Sequence, residues 1–571
     1  MHVELEQRAL LTAAATADTL ARDISGGAAR TAAASPVSLP SLSPMAAKAR
    51  WLSEQVPMLE QLAALALMLD TDADGQVAID LPGDTWDPAV LLEQSADQRF
   101  GPGFVDATGL GGEELTTLLL TLGSVGQDLP DSSAVMTPDQ LRTFVIDHPQ
   151  VARALQQTRP AGSGPGAVLY GLTLPFMTAP GGGAEVWEQR RLEARELFEG
   201  LSPDDAAILA MTYPSIVGNL PGVPFANRAD ANTVNVVVAL DDEQAELADL
   251  RERHEHNQHD WDFLGMNNDD LEGPIEDAED RVALYRSILA DDRQIVYFDP
   301  SGDGSIAELH APIDPRTQNV GVLVPGTGSD LSNFQGTADR SLTFQDNAPP
   351  GSLAMISWMG GDLPDDIVQD APFANYSVDL GPRLADFSRD LALEIEHSAA
   401  PDAQVTVAGH SYGGAVVGRS ELSGLVADRV LHIESAGMGH DIEGPGDLPD
   451  SQGDVDRYSM TAPGDVIGLI QGTQAGDNIG HGADPDSFDG TVRLHTGNKV
   501  DGSLNTGVGS HTSVFQEHSD AWQNMFEVFT GGTVETYRSP DYYYPPPGPY
   551  GSPSMPVQVG WEDDGERIDI E

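Results

Sequence analysis

Ser411 follows Gly409 and His410 and precedes Tyr412, Gly413 and Gly414, at the end of the apolar run 405–408 (VTVA) and ahead of small residues suited to open a helix. A serine hydroxyl attacks a carbonyl when a base takes its proton and when the chain holds it on a sharp strand-to-helix turn. On such a turn the positions two before and two after the serine must lack side chains. Glycine fills 60 of 571 positions, so a GxSxG pattern alone arises easily by chance. The β-prone stretch before it, with Gly414, Ala415 and Gly418 after it for tight helix-on-sheet packing, marks this turn as a nucleophile elbow. The competing reading is an ordinary strand-to-helix turn.

Such a serine needs a histidine to accept its proton and a carboxylate to orient the histidine, in the chain order Ser, Asp or Glu, His. Residues 429–434 (RVLHIE) and 456–460 (DRYSM) read as the next strands, and Asp465 lies in the loop after the second. Residues 491–495 (TVRLH) read as a final strand, and His511 follows in the loop 509–513 (GSHTS). Asp465 and His511 are therefore the expected acid and base. His518, His495, Asp441, Asp454 and Asp477 are rivals of ordinary surface or strand type. An oxyanion needs two backbone N–H donors. The residue after the serine supplies one, Tyr412, and the loop PGTG (325–328) after the apolar strand 319–324 supplies Thr327 as the other.

The elements that position these residues are strands alternating with helices from about residue 291 to 535, which predicts an α/β class: a doubly wound, mostly parallel sheet of the alpha/beta-hydrolase fold. Leu380, Leu384, Phe387, Leu391 and Ile395 form one apolar face of a helix just before the elbow strand. A hairpin, 294–298 and 305–310, opens this domain. The segments 220–224 (LPGVP), 228–232 (RADAN), 297–304 (YFDPSGDG), 322–333 (VLVPGTGSDLSN), 407–414 (VAGHSYGG) and 435–439 (SAGMG) resemble a bacterial family of alpha/beta hydrolases of unknown function. The resemblance spans about residues 200 to 530 and implies a serine-hydrolase triad on Ser411, Asp465 and His511. It implies no particular substrate. Ala436 departs from the proline usual in that family after Ser435.

Ahead of the hydrolase domain, residues 1–200 read as an α-helical N-terminal region, broken by a Ser/Pro-rich linker at 31–44, and 201–290 as a helical cap or connecting region. Residues 233–240 (TVNVVVAL) read equally well as strand, from β-branched content, or as helix, from the resemblance. Residues 536–571 read as an extended or disordered acidic tail rich in Pro and Tyr. No apolar run is long enough to span a membrane. The first 25 residues lack a basic start and apolar core, which argues against a standard signal peptide. With no cysteine, disulfides and thiol chemistry are excluded, but the compartment is not fixed; cytoplasm is the default, with leaderless export open.

The charges are lopsided: Lys and Arg total 29 against 90 Asp and Glu, a formal net charge of −61. Such a surface repels nucleic acid and anionic lipid and suits high salt, where screening relieves its self-repulsion. Asp70, Asp72, Asp74 and Gly75 have the spacing of positions 1, 3, 5 and 6 of an EF-hand loop, but position 12 is Leu81, so a weak structural Ca²⁺ site or a plain polar turn is expected there. Catalysis needs no cofactor. The expected activity is hydrolysis of a small-molecule or lipid-like ester, less readily an amide, through an acyl-enzyme. The alternatives are a non-catalytic binding scaffold and an acyltransferase with the same triad. Neither a protein partner nor an oligomeric state can be read from the residues.

Overall fold

The computed structural model describes residues 2–34, 43–69, 76–80, 87–127, 129, 134–159, 164–178, 184–261, 271–469, 471–476, 478–507, 509–543, 557–562 and 565–570. The chain divides into two compact units, residues 1–241 and 242–571, so the expected intermediate region 201–290 is shared between them. Asp70, Asp72 and Asp74 lie outside the described residues.

The first unit is helical, as its apolar spacing predicts. Helices Gln7–Ala34 and Ser43–Leu69 pack along one another. Helix Pro138–Asp147 opens on a capping box in which the Thr137 hydroxyl accepts from the Gln140 N–H and the Gln140 carbonyl from the Thr137 N–H. A two-stranded antiparallel ribbon, His2–Glu6 with Gln76–Asp80, was not foreseen. The ambiguous segment 233–240 lies inside the helix Phe225–Trp261. Its valines are buried at consecutive positions, and the amides of Asn232 and Asn235 donate to the Gly218 and Pro214 carbonyls. A helix covered on most sides tolerates β-branched residues because packing outweighs their propensity.

The second unit is built on an eight-stranded sheet, numbered here β1 (Gln294–Asp299), β2 (Ser305–Leu309), β3 (Asn319–Val324), β4 (Leu353–Met359), β5 (Gln404–His410), β6 (Arg429–Ile433), β7 (Asp456–Met460) and β8 (Thr491–Arg493). The strand order is β8-β7-β6-β5-β3-β4-β2-β1; β1 and β2 pair antiparallel, β2 runs antiparallel to β4, and every other pairing is parallel. This is the alpha/beta-hydrolase topology. Parallel strands covered on both faces read as continuous apolar runs, and β3, β4 and β6 are buried at every residue. Over one face lie α1 (Gln335–Asn347) and α5 (Asp520–Thr530), whose Phe344, Trp522 and Phe529 share a core with Leu323, Met355, Ala408 and Leu431. On the other face, α2 (Asn375–Glu396) sets Phe387 against Trp358 of β4 and packs on α3 (Tyr412–Leu422); the short helix α4 (Ser510–Ser513) carries His511.

The tail differs from expectation. Pro540–Tyr543 pairs with Val557–Trp561, Thr533–Glu535 pairs with Arg567–Asp569, and Ile570 enters the main core. The described part of the tail is extended but ordered, because alternating Val557, Val559 and Trp561 supply a strand pattern and Pro540 sits at a strand start, where its missing N–H costs nothing.

Packing of α3 on the sheet has no slack. A Cβ on Gly418 would stand 1.7 Å from the Met438 carbonyl oxygen, which is backbone and cannot swing away. Gly418→Ala is expected to destabilise by about 3 kcal/mol or more. Gly444→Ala, where a Cβ meets nothing within 4 Å, should be near neutral, and thermal unfolding of the two variants side by side checks the difference.

Candidate active site

β5 ends at His410 and α3 begins at Tyr412, which leaves Ser411 to make the whole turn at φ 56 and ψ −122. A non-glycine residue with positive φ is strained. Three hydrogen bonds hold it there: the Ser411 N–H donates to the Ile433 carbonyl at 3.0 Å, and the Ser411 carbonyl accepts from the Ala436 N–H at 3.0 Å and the Gly414 N–H at 3.1 Å. The flanking glycines are sterically required. A Cβ on Gly409 would meet the Gly413 carbonyl oxygen at 2.3 Å, and one on Gly413 the Pro325 carbonyl oxygen at 2.3 Å.

Ser411, His511, Thr327 and Tyr412 all line one cavity of about 480 Å³. Among the described residues neither the Thr327 nor the Tyr412 backbone N–H has an acceptor, so both are free to receive a ligand oxygen. The Tyr412 side chain turns away: its hydroxyl donates to the Phe373 carbonyl at 2.6 Å and accepts from the Ser377 N–H. Behind His511, Asp465 Oδ1 lies 3.4 Å from Nδ1, a loose contact of the kind that tightens when charge develops on the ring. Asp465 is fixed by N–H donation from Ile467 at 2.8 Å and by the Ser510 hydroxyl at 3.3 Å. Burial alone would raise its pKa, but the His511 imidazole and these donors outweigh it and hold the carboxyl below the usual range.

The rivals stand elsewhere. His518 is exposed beside Glu517, His495 is buried with its ring edge-on to Trp561, Asp441 pairs with Arg419, and Asp454 is exposed. Asp477 lies outside the described residues.

Two residues that no sequence reasoning singled out complete the surroundings. His410 Nε2 donates to the His511 carbonyl at 2.8 Å, and the two rings sit 4.9 Å apart. Full burial, helped by His511 and Arg340, pushes the His410 pKa down to about 3, so it stays neutral and serves as a tether. Glu434 follows β6 directly, with φ 44, and its Oε1 accepts from the Ala462 N–H. Ligand atoms of Glu434, Asp465 and His511 lie within 4.8 Å of one another, a spacing that three donors to a cation would also have. Burial, reinforced by the charge of Asp465, pushes the Glu434 carboxyl well above the usual range. The shift favours the neutral form of Glu434 beside the Asp465 carboxylate behind His511. The acid ending the run RVLHIE was the available signal.

An acid whose pKa is raised on folding keeps its proton while the unfolded chain loses one, so it lowers stability as pH climbs above about 4.5 and costs nothing below. Glu434→Gln should therefore raise the melting temperature at pH 8 and leave it unchanged at pH 4. It should also keep turnover within about tenfold, whereas Asp465→Asn should lose on the order of 10⁴-fold. Melting curves at both pH values and steady-state rates check both parts.

Comparison with known proteins agrees with this topology. Residues 299–472 match a family model described as Alpha/beta hydrolase. Two proteins of Mycobacterium tuberculosis, the uncharacterized proteins MT2140 and Rv2079, are each 25% identical over 468 residues, covering 74% of this chain and 68% of theirs. Among solved structures, the dienelactone hydrolase-like promiscuous phosphotriesterase P91 from metagenomic libraries is 13% identical with a TM-score of 0.23, over 41% of this chain and 95% of that one. XC6422 from Xanthomonas campestris, an α/β serine hydrolase without lid, is 12% identical with a TM-score of 0.20, over 35% and 83%. Likenesses that faint carry no weight of their own. Strand order and the family match together establish that this chain has the alpha/beta-hydrolase fold.

Proposed function

We propose that the protein is a serine hydrolase that cleaves a carboxylic ester through an acyl-enzyme. Ser411 Oγ attacks the ester carbonyl while His511 takes its proton, and Asp465 holds the imidazole and balances the charge it gains. The Thr327 and Tyr412 N–H groups receive the oxyanion. Collapse of the tetrahedral intermediate expels the alcohol, which takes the proton from His511. Water then attacks the acyl-enzyme by the same route in reverse, releasing the acid and restoring Ser411. The observation that carries this reading is the meeting of Ser411 and His511 on one cavity wall, with Asp465 3.4 Å behind the ring. A cavity of about 480 Å³ suits a small-molecule substrate.

A fluorophosphonate probe should label Ser411 covalently, and Ser411→Ala should abolish both labelling and the hydrolysis of nitrophenyl esters, with losses on the order of 10⁴-fold or more. Intact-protein mass spectrometry reads the label. A folded wild-type chain that takes none would favour a binding scaffold.

From its charge we further propose that the protein is adapted to concentrated salt. With 90 acidic residues against 29 basic and lysine at only Lys48 and Lys499, the folded chain repels itself. Raising ionic strength shrinks the Debye length from about 10 Å at 0.1 M to about 3 Å at 1 M and relieves that repulsion. The melting temperature should rise between about 0.1 and 2 M KCl, by several degrees; a flat or falling curve in a thermal scan would count against salt adaptation.

A further inference from the structure

The cavity that holds Ser411 carries a charge that the rest of the molecule does not predict. In a chain with three acids for every base, its wall among the described residues has no carboxylate and one guanidinium, that of Arg340. Several other arginines of this unit are matched to acids, Arg293 to Glu308, Arg457 to Glu421, Arg383 to Asp379 and Arg493 to Asp486, and buried Arg429 donates to the Asn319 amide oxygen and the Val528 carbonyl. Arg340 has no acidic partner among the described residues. Its guanidinium carbon lies 4.8 Å from the centroid of the Phe515 ring, and that ring in turn packs edge-on against His410. Half-buried and stacked, Arg340 is held in place at the cavity wall with its donors uncommitted.

Its helix supports the same polarity. Gly336, Thr337 and Arg340 recur at helical spacing on one side of α1 and all line the cavity, so the helix begins there and its positive end adds to the field. Polar neutral groups, Asn333 and Thr512 among them, complete this part of the wall. The nearby loop 362–370 is acidic, but its contribution to the wall is the apolar Ile367.

From this, and resting on the esterase reading above, we infer that the substrate is an ester bearing a negatively charged group, a carboxylate or a similar oxyanion, that docks on Arg340 while its ester carbonyl meets Ser411. A planar guanidinium binds a carboxylate through two parallel N–H donors, a charge-assisted pair stronger than neutral hydrogen bonds. The negative field of the whole chain opposes the approach of such a substrate at long range. At about 1 M KCl the Debye length is about 3 Å, so the long-range repulsion fades while a contact pair inside the cavity persists.

The test measures kcat/KM at about 1 M KCl for three esters, corrected for spontaneous hydrolysis: 4-nitrophenyl pentanoate; the mono-4-nitrophenyl ester of adipic acid, charged on the acyl side; and the pentanoate of 5-hydroxy-2-nitrobenzoic acid, charged on the leaving group. The wild type should favour one charged ester over the neutral one by about tenfold or more, the factor that about 1.4 kcal/mol of added binding supplies. Which one identifies the side that meets Arg340. Arg340→Gln should bring the ratio to about one, whatever its absolute rate, and Arg340→Lys should keep part of it. A measurement on the wild type alone guards against misfolding of the variants: free adipate should inhibit hydrolysis of the neutral ester competitively, and pentanamide should not. Equal rates on all three esters with no inhibition by adipate, or a preference that survives in Arg340→Gln, would overturn the inference while leaving the esterase intact. Absence of ester turnover together with absence of fluorophosphonate labelling would overturn both.

Discussion

The second unit is organised by one steric fact: a strand and a helix meet at Ser411 with no space between them. Holding a serine at φ 56 costs on the order of 1–3 kcal/mol, and the neighbours that impose it are backbone atoms of the strand end, the helix start and the loop after β3. Gly326 belongs to the same constraint, since a Cβ there would stand 2.7 Å from the Ser411 Cβ. The loop that carries the Thr327 N–H is thus pressed onto the elbow, and the positions of Thr327 and Ser411 are set by one contact. Parallel pairing of β5 with both β3 and β6 brings the three loops to the same end of the sheet, the end at which open α/β sheets bind ligands.

The constraint reaches His511 through His410. This residue ends the elbow strand, packs between Phe515 and His511, and donates to the His511 backbone. A charged imidazole would serve poorly there, and burial keeps it neutral. Glu434 follows similar logic on the other side. Burial pushes its carboxyl up, and the nearby charge of Asp465, which has more donors, adds to that shift. Asp465 has donors from Ile467 and Ser510, and Glu434 has one from Ala462.

Much of this was legible in the residue order. Elbow glycines are demanded by local geometry, so Gly409, Gly413 and Gly418 announce themselves, and chain order after a parallel strand narrows the acid and base to Asp465 and His511, which do lie side by side. What sequence left open depends on neighbours far along the chain. Glu434 and Asp465 are 31 positions apart, and Arg340 and Phe515 are 175 apart, so neither a proton shared out between acids nor an arginine without a carboxylate is visible in a linear string. The segment 233–240 failed for the opposite reason: its local preference was real, and burial overrode it. The pairing within the tail was hidden because its strands are short and the Pro- and Tyr-rich composition suggests an extended or disordered segment.

The positions of Ser411, Asp465 and His511 along the chain have a consequence for biosynthesis. On the proposed reading, a ribosome that has reached the end of β7 has made the nucleophile and the oxyanion-binding loop and soon afterwards makes the acid, while the base is still about fifty residues from synthesis. In the folded unit the His511 carbonyl accepts from His410, and α5 covers the sheet with Trp522 and Phe529. On the proposed reading the serine has no base until residue 511 has been made, so the order of synthesis delays its activation.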